Sequence, residues 1–259
     1  MMDERICRVL TIAGSDSSGG AGVQLDLKVF ERVGVYGMSA ITAVTAQDTL
    51  GVRKVNKVAP RIVAAQIDAV ARDIGVDACK IGMLCDANTV RVVTDRIARR
   101  EIPNVVLDPV LGAKNGTSLL TSLGVRRMKR YLLPKVLVVT PNAPEAGILA
   151  GMQVRNLDDL KQAAVIIHER GCRYVLAKGG HLEGDPVDIL YDGETFLEMP
   201  GERVEGTPVH GTGCAFSAAL AARVALGDSV PDAARFAKSF VAELIRGAVR
   251  LGKGNLLIR

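Results

Sequence analysis

Aromatic side chains are scarce in this chain. They make up 3% of its 259 residues, and tryptophan is absent. Binding single-stranded nucleic acid relies on rings that stack on bases, so that function class is disfavoured. The core has to be built from Val, Leu, Ile and Ala instead. Five cysteines, at 7, 79, 85, 172 and 214, include no Cys-x-x-Cys pair, and the three histidines include no His-x-x-x-His pair. So odd and scattered a set argues against a disulfide framework and a zinc site, and points to a reducing cytosol. No run reaches the ~18 apolar residues of a membrane-spanning helix. The start, Met1-Met2-Asp3-Glu4-Arg5, is charged and leads straight into an expected strand, with no targeting segment.

Charge of one sign is also lacking. Lys and Arg number 33 against 28 Asp and Glu, a net +5. The densest basic runs, 96–100 and 126–130, fall on helical patterns, where a solvated outer face is the simpler account. With 48% hydrophobic residues the chain can bury a sizeable core. Short Val/Ile/Leu-rich runs at 8–13, 37–44, 79–81, 104–107, 136–140 and 174–177 read as strands buried on both faces. Between them, Val23, Leu27, Phe30 and Val33 repeat at helical spacing, as do Ile62, Ala65, Ala69 and Ile74. Further helices are expected at 89–99, 122–132, 157–170, 214–226 and 229–250. The alternation predicts an α/β three-layer sandwich: a mostly parallel central sheet with helices on both faces. A hairpin within 188–199, turning at Asp192-Gly193, adds antiparallel strands at one edge. No linker divides residues 1–259, so one domain is expected.

Open α/β sheets bind ligands beyond the carboxyl ends of their strands. The segments that follow the predicted strands are Gly-rich, acidic or basic: residues 14–22, Gly82-Met83, Asp108-Pro109-Val110, Pro141-Asn142-Ala143-Pro144-Glu145 and Lys178-Gly179-Gly180-His181. Such groups on one rim could bind phosphate and metal. Most telling is Val209-His-Gly-Thr-Gly-Cys. Gly211 and Gly213 let successive N–H groups point into one space, and the helix behind adds the positive end of its dipole. Cys214, at the mouth of that anion hole, would be favoured as a thiolate.

Taken singly, each motif has two readings. The loop at 14–22 lacks the Walker A pattern and the third glycine of Gly-x-Gly-x-x-Gly. It is either a backbone cradle anchored by Asp16 or Asp26, or a turn with Asp26 as a first-turn helix charge. Asn142 and Glu145 either serve phosphate and Mg²⁺ or form a helix cap with Glu at its third position. Lys178 suits a triphosphate and equally a snorkelling strand end. Asp108 is a turn former or an acidic ligand.

In order, the motifs resemble the hydroxymethylpyrimidine/phosphomethylpyrimidine kinases of the ribokinase superfamily, from Leu10 to about Gly254. The most specific pieces begin at Thr11 (Thr-Ile-Ala-Gly-Ser-Asp-Ser-Ser-Gly-Gly-Ala-Gly), Ile41 (Ile-Thr-Ala-Val-Thr-Ala-Gln-Asp-Thr), Lys80 (Lys-Ile-Gly-Met-Leu), Leu107, Thr140, Lys178 and His210. The resemblance implies a ribokinase-like fold and ATP/Mg²⁺-dependent phosphorylation of a hydroxymethylpyrimidine and of its monophosphate, in thiamine biosynthesis. It also implies a homodimer. Cysteine at 214, where most of the superfamily carries an aspartate base, speaks against a sugar kinase. By the same resemblance Gln47 reads the aminopyrimidine edge, and Gly14, Asp26, Met83 and Val110 line the pocket. Asn142, Thr212 and Lys178 serve the ATP phosphates, and Asp108 and Glu145 the Mg²⁺. Gly211, Gly213, Lys178 and Cys214 act in the transfer. Ala215 departs from the family's usual Thr or Ser, and Pro208-Val209 from its polar pair. A pyridoxal or pyridoxine kinase and a non-catalytic pyrimidine-binding regulator are the competing readings; no nucleic-acid or membrane partner is expected.

Overall fold

Successive residues on the central strands face opposite ways. Val9, Ala78, Val106, Val138, Leu176 and Leu190 belong to one buried cluster, and their neighbours Leu10, Cys79, Leu107, Val139, Val175 and Ile189 to the other. Apolar side chains on both faces demand cover on both faces, which here comes from helices. The computed structural model describes residues 6–112, 118–203 and 206–259. The strand lead-in expected at residues 1–5 lies outside them.

In chain order the main strands are β1 (Arg8–Asp16), β2 (Tyr36–Asp48), β3 (Gly51–Lys57), β4 (Ala78–Ile81), β5 (Val105–Leu107), β6 (Val138–Val139), β7 (Tyr174–Ala177), β8 (Val187–Tyr191) and β9 (Phe196–Pro200). They form a nine-stranded sheet in the order β3-β2-β1-β4-β5-β6-β7-β8-β9. Pairing is parallel from β2 through β7. Helices α1 (Gly22–Val33), α7 (Thr212–Ala225) and α8 (Val230–Arg246) cover one face. The other is covered by α2 (Pro60–Asp73), α3 (Ala87–Arg99), α5 (Ala143–Ala150) and α6 (Leu157–His168). From β1 the chain runs to β2 on one side and later returns to β4 on the other, so a crevice opens where the direction of winding reverses. A short parallel pair, β10 (Val209–His210) with β11 (Leu256–Leu257), ties the C-terminal segment to that rim.

Several elements differ from expectation. Antiparallel strands occupy both edges, because β3 pairs with β2 as β8 and β9 pair at the far side. Most of β3 is exposed and polar, so it carries no apolar alternation to read. The helix expected over 122–132 is α-helical only at α4 (Ser122–Arg127), and continues as a wider turn over Met128–Leu132. Pro134 follows, and with no N–H to donate it cannot extend a regular helix. The last long helix stops at Arg246, before Gly247.

One charge sits in the middle of all this apolar packing. Lys80 of β4 is fully buried, and its Nζ lies 2.8 and 3.0 Å from the Asp26 carboxylate of α1. The Thr11 hydroxyl of β1 donates to the same carboxylate at 2.6 Å. Burial works against the Lys80 ammonium, yet Asp26 and its neighbours hold its pKa above the ordinary lysine value. The pair therefore pins α1 to the two central strands at the crevice. Removing one partner strands the other, a loss of about 3–5 kcal/mol. We expect Lys80→Met to lower the thermal midpoint by roughly 10 °C, and the double variant Lys80→Met/Asp26→Leu to recover most of it. A double variant no better than the single one would refute the pairing account.

Candidate active site

The site is assembled from strand ends. At the end of β1 the register with β2 slips between Ala13 and Gly14, which re-aims the residues beyond it. A second slip, between Ala46 and Gln47 of β2 opposite β3, does the same for Gln47. Glycine is required where the loops meet. A side chain at Gly22, whose φ is +60°, would stand 2.2 Å from the Gly14 carbonyl oxygen. One at Gly211, with φ +83°, would stand 2.0 Å from that of Gly20. The loop after β1 and the turn before α7 thus touch backbone to backbone. Gly211 is the N-cap of α7, which begins at Thr212, two residues before the predicted start. The residues at that helix start line the cavity between the loops.

That cavity, of about 240 Å³, brings together Gly14, Gln47, Met83 and Val110 with Asp108, Asn142, Glu145 and Lys178, and with the turn from Gly211 through Thr212 and Gly213 to Cys214. Asp26 is the exception. Its place one turn into α1 aims it at Lys80 beneath the cavity floor, so it lines no part of the pocket. Lys80 takes the wall position instead. A roomier groove of about 800 Å³ opens beside α5 between Ile148 and Leu182, but no carboxylate or lysine lines it. The reactive groups gather in the smaller cavity.

At one end of the cavity the charges are interlocked. Lys178 Nζ lies 3.4 Å from Asp108 Oδ1, and a side chain on Gly213 would stand 3.2 Å from that Nζ. Burial opposes the Lys178 charge, but Asp108, Glu145, Cys214 and Asp188 together raise its pKa above the usual lysine value. The Lys178 amide donates to the Pro141 carbonyl at 2.8 Å, which sets Lys178 beside Asn142. Asn142 caps α5: its Oδ1 accepts from the Glu145 amide at 2.9 Å, while Glu145 Oε2 accepts from the Asn142 amide at 3.0 Å. The capping box is real, and both residues still line the cavity. Burial, helped by the nearby Asp108 charge, raises the Glu145 carboxyl to about 7.

Cys214 does not rest as the thiolate that the turn implied. Burial pushes its thiol up to about 11; Lys80 works the other way, while Asp108 and Asp26 add to the rise. Desolvation outweighs the Lys80 cation and the backbone hydrogen bond from Gly22. Two partners carried no assigned role in the sequence motifs that contain them: Lys80, a lysine inside an otherwise apolar strand, and His210. The His210 Nε2 lies 3.0 Å from Asp16 Oδ2 and 2.7 Å from Gln47 Nε2. Among the described residues, no group of three or more His, Cys, Asp or Glu side chains could hold a metal by itself. None of the described helices is long and apolar enough to cross a membrane.

Comparison with known proteins agrees with this geometry. The family model described as phosphomethylpyrimidine kinase matches residues 16–259. The hydroxymethylpyrimidine/phosphomethylpyrimidine kinase of Bacillus subtilis (strain 168) is 44% identical over 252 residues, covering 96% of this chain and 93% of the relative. Among solved structures, an ADP complex of Bacillus subtilis pyridoxal kinase superposes with a TM-score of 0.92 at 37% identity, over 98% of this chain and 97% of that one. Phosphomethylpyrimidine kinase from Clostridium difficile 630 does so with a TM-score of 0.83 at 39% identity, over 92% and 99%. With its matched length, its ribokinase-like sheet and its cysteine-bearing glycine turn, the chain belongs to the phosphomethylpyrimidine kinase family of phosphotransferases.

Proposed function

We propose that this protein uses ATP and Mg²⁺ to phosphorylate 4-amino-5-hydroxymethyl-2-methylpyrimidine, and then the monophosphate, to the diphosphate of thiamine biosynthesis. The observation that carries the reading is the layout of the cavity. Gln47, Lys178, Asp108, Asn142, Glu145, Cys214 and the glycine turn at the start of α7 line one cavity, where Lys178 lies 3.4 Å from Asp108 and pairs with Asn142 of the Asn142–Glu145 capping box. An amide that both donates and accepts suits an aminopyrimidine edge. Gly14, Met83 and Val110 line the same cavity. In this reading the chain 1–259 acts as one kinase domain, cytosolic and homodimeric.

Phosphoryl transfer needs positioning and charge stabilisation more than covalent work. The amides of Gly211, Thr212 and Gly213 and the Lys178 ammonium supply fixed positive potential to the group in transit. Cys214 sits at the start of α7, where it orients the attacking hydroxyl or takes its proton. Asp108 and Glu145 fit Mg²⁺, since burial and then the Asp108 charge raise Glu145, and a divalent cation would offset both. Mg²⁺ commonly uses one or two carboxylates together with substrate phosphates, so no larger protein cage is required. When bound, the ion offsets the negative charge of the phosphates.

The first test is ATP consumption by purified protein with Mg²⁺ on hydroxymethylpyrimidine, its monophosphate, pyridoxal and ribose in parallel. Turnover on both pyrimidines and little elsewhere is the expected outcome; preference for pyridoxal would keep the chemistry and overturn the substrate. Cys214→Ala separates two roles. As general base, Cys214 should account for roughly 10²–10⁴ in rate, and with its thiol near 11 the wild-type kcat should climb steadily from pH 7 to 9. A flat profile and a loss under tenfold would leave it an orienting or packing group. Glu145 makes a stability prediction. Because its folded pKa of about 7 lies above the ordinary 4.5, the folded state holds the proton more tightly. That stabilisation is full below the unfolded value and is lost as pH rises through 7. Glu145→Gln keeps the cap without the charge. The ligand-free variant should therefore gain on wild type between pH 5 and 8, by on the order of 2 kcal/mol in paired melts. Added Mg²⁺ and ATP should reverse that order at pH 8.

A further inference from the structure

His210 and Asp16 take no part in the transfer just described, yet they meet the cavity beside Gln47. The Asp16 side chain is 3% exposed and that of His210 20%. The far oxygen of Asp16 accepts from the Ser18 amide and hydroxyl, each at 2.8 Å. Burial opposes the Asp16 charge, but the bonds from His210 and Ser18 hold its carboxyl below the usual range. An ionised carboxylate 3.0 Å from His210 Nε2 needs a proton on that nitrogen, whether the ring is neutral or charged. That N–H cannot face an amide NH₂ group 2.7 Å away. A half-turn about the last side-chain bond of Gln47 exchanges its nitrogen for its oxygen, so that the single Nε2 proton is shared between the Asp16 and Gln47 oxygens in a three-centre bond.

The other end of the amide demands the same half-turn. Thr45 Oγ1 has one proton and donates it to the Ser15 carbonyl at 2.9 Å. It therefore offers only lone pairs to Gln47, whose Oε1 stands 3.3 Å away. An amide N–H satisfies that contact and an amide oxygen does not. Two contacts, on opposite sides of the group, select one orientation. An amide has two lone pairs on oxygen and two N–H groups. His210 takes one lone pair and Thr45 one N–H, so one acceptor and one donor remain side by side, in a fixed order.

We infer that His210, held by Asp16, is a specificity-determining positioning residue: it sets the order of acceptor and donor on Gln47, so that the site accepts a heterocycle edge bearing an exocyclic N–H beside a ring-nitrogen lone pair and rejects the oxo edge, where donor and acceptor are exchanged. A glutamine free to turn over would serve both edges equally. The substrate cannot turn over in its place, because its hydroxymethyl group must reach Cys214. The inference rests on the reading of Gln47 as the residue that meets the pyrimidine edge.

The experiment measures kcat and KM for 4-amino- and 4-oxo-5-hydroxymethyl-2-methylpyrimidine in wild type, Asp16→Asn, His210→Phe and Thr45→Val. Wild type should favour the amino substrate on the order of 10²-fold in kcat/KM, since the mismatched edge leaves buried polar groups unpaired. Asp16→Asn is nearly isosteric and allows the ring proton to move to Nδ1. Gln47 is then free to reverse, and the amino/oxo ratio should fall at least tenfold. His210→Phe should lower the ratio too, as should Thr45→Val, which acts from the other side and needs no change at the histidine. In each variant the loss should lie in KM for the amino substrate, with kcat largely kept. A ratio unmoved in folded Asp16→Asn and Thr45→Val, while wild type turns over the amino substrate, would overturn this inference alone. Failure of wild type to phosphorylate the aminopyrimidine would overturn it together with the proposed substrate.

Discussion

Everything at the site depends on two loops approaching until their backbones touch. The Gly20 carbonyl lies where a side chain on Gly211 would be, although the two residues are far apart in sequence. Such contact is open only to residues without a Cβ, and the positive φ of Gly211 and Gly22 adds a second reason for glycine. Because the loops touch, the start of α7 stands beside the end of β1. The helix-start amides, Cys214, Gln47 and the Asp16–His210 bond then share one cavity. Widening that contact would separate Gln47 from Cys214 and the glycine turn at the start of α7.

Around this junction the charges are arranged so that none stands alone. Lys80 is met by Asp26, Lys178 by Asp108, and Glu145 Oε2 accepts from the Asn142 amide at the cap of α5. Burial raises the energy of each charged form, and a neighbour of opposite sign offsets it. The offset is incomplete at Glu145, where Asp108 adds a like charge, and at Cys214, where desolvation wins. Both groups are thereby held toward their neutral forms.

Much of this was legible in the sequence because the relevant signals are local. Both-face apolar strands, the Asn142–Glu145 cap and the hairpin near Asp192 follow from neighbouring residues, and each is present. The candidate site residues gather in one cavity because they follow strands that the sheet places side by side. Asp26 broke the pattern, since one helical turn was enough to aim it inward at Lys80. The strand β3 was invisible because backbone pairing with β2, rather than side-chain burial, holds it. The thiolate expected at Cys214 failed for a related reason: a helix start can be read from glycine spacing, while the depth of desolvation cannot.

The sequence by itself determined the alternation of strand and helix, the position of each glycine turn and the chemical types available at the rim, for these depend on contacts a few residues long. Only the tertiary structure decided which charges pair, which carboxylate is hidden and which way an amide faces. Those outcomes depend on distances between residues such as Asp16 and His210, or Asp26 and Lys80, that become neighbours only when the sheet is complete. Their energies turn on burial, which is a property of the assembled packing and has no local code.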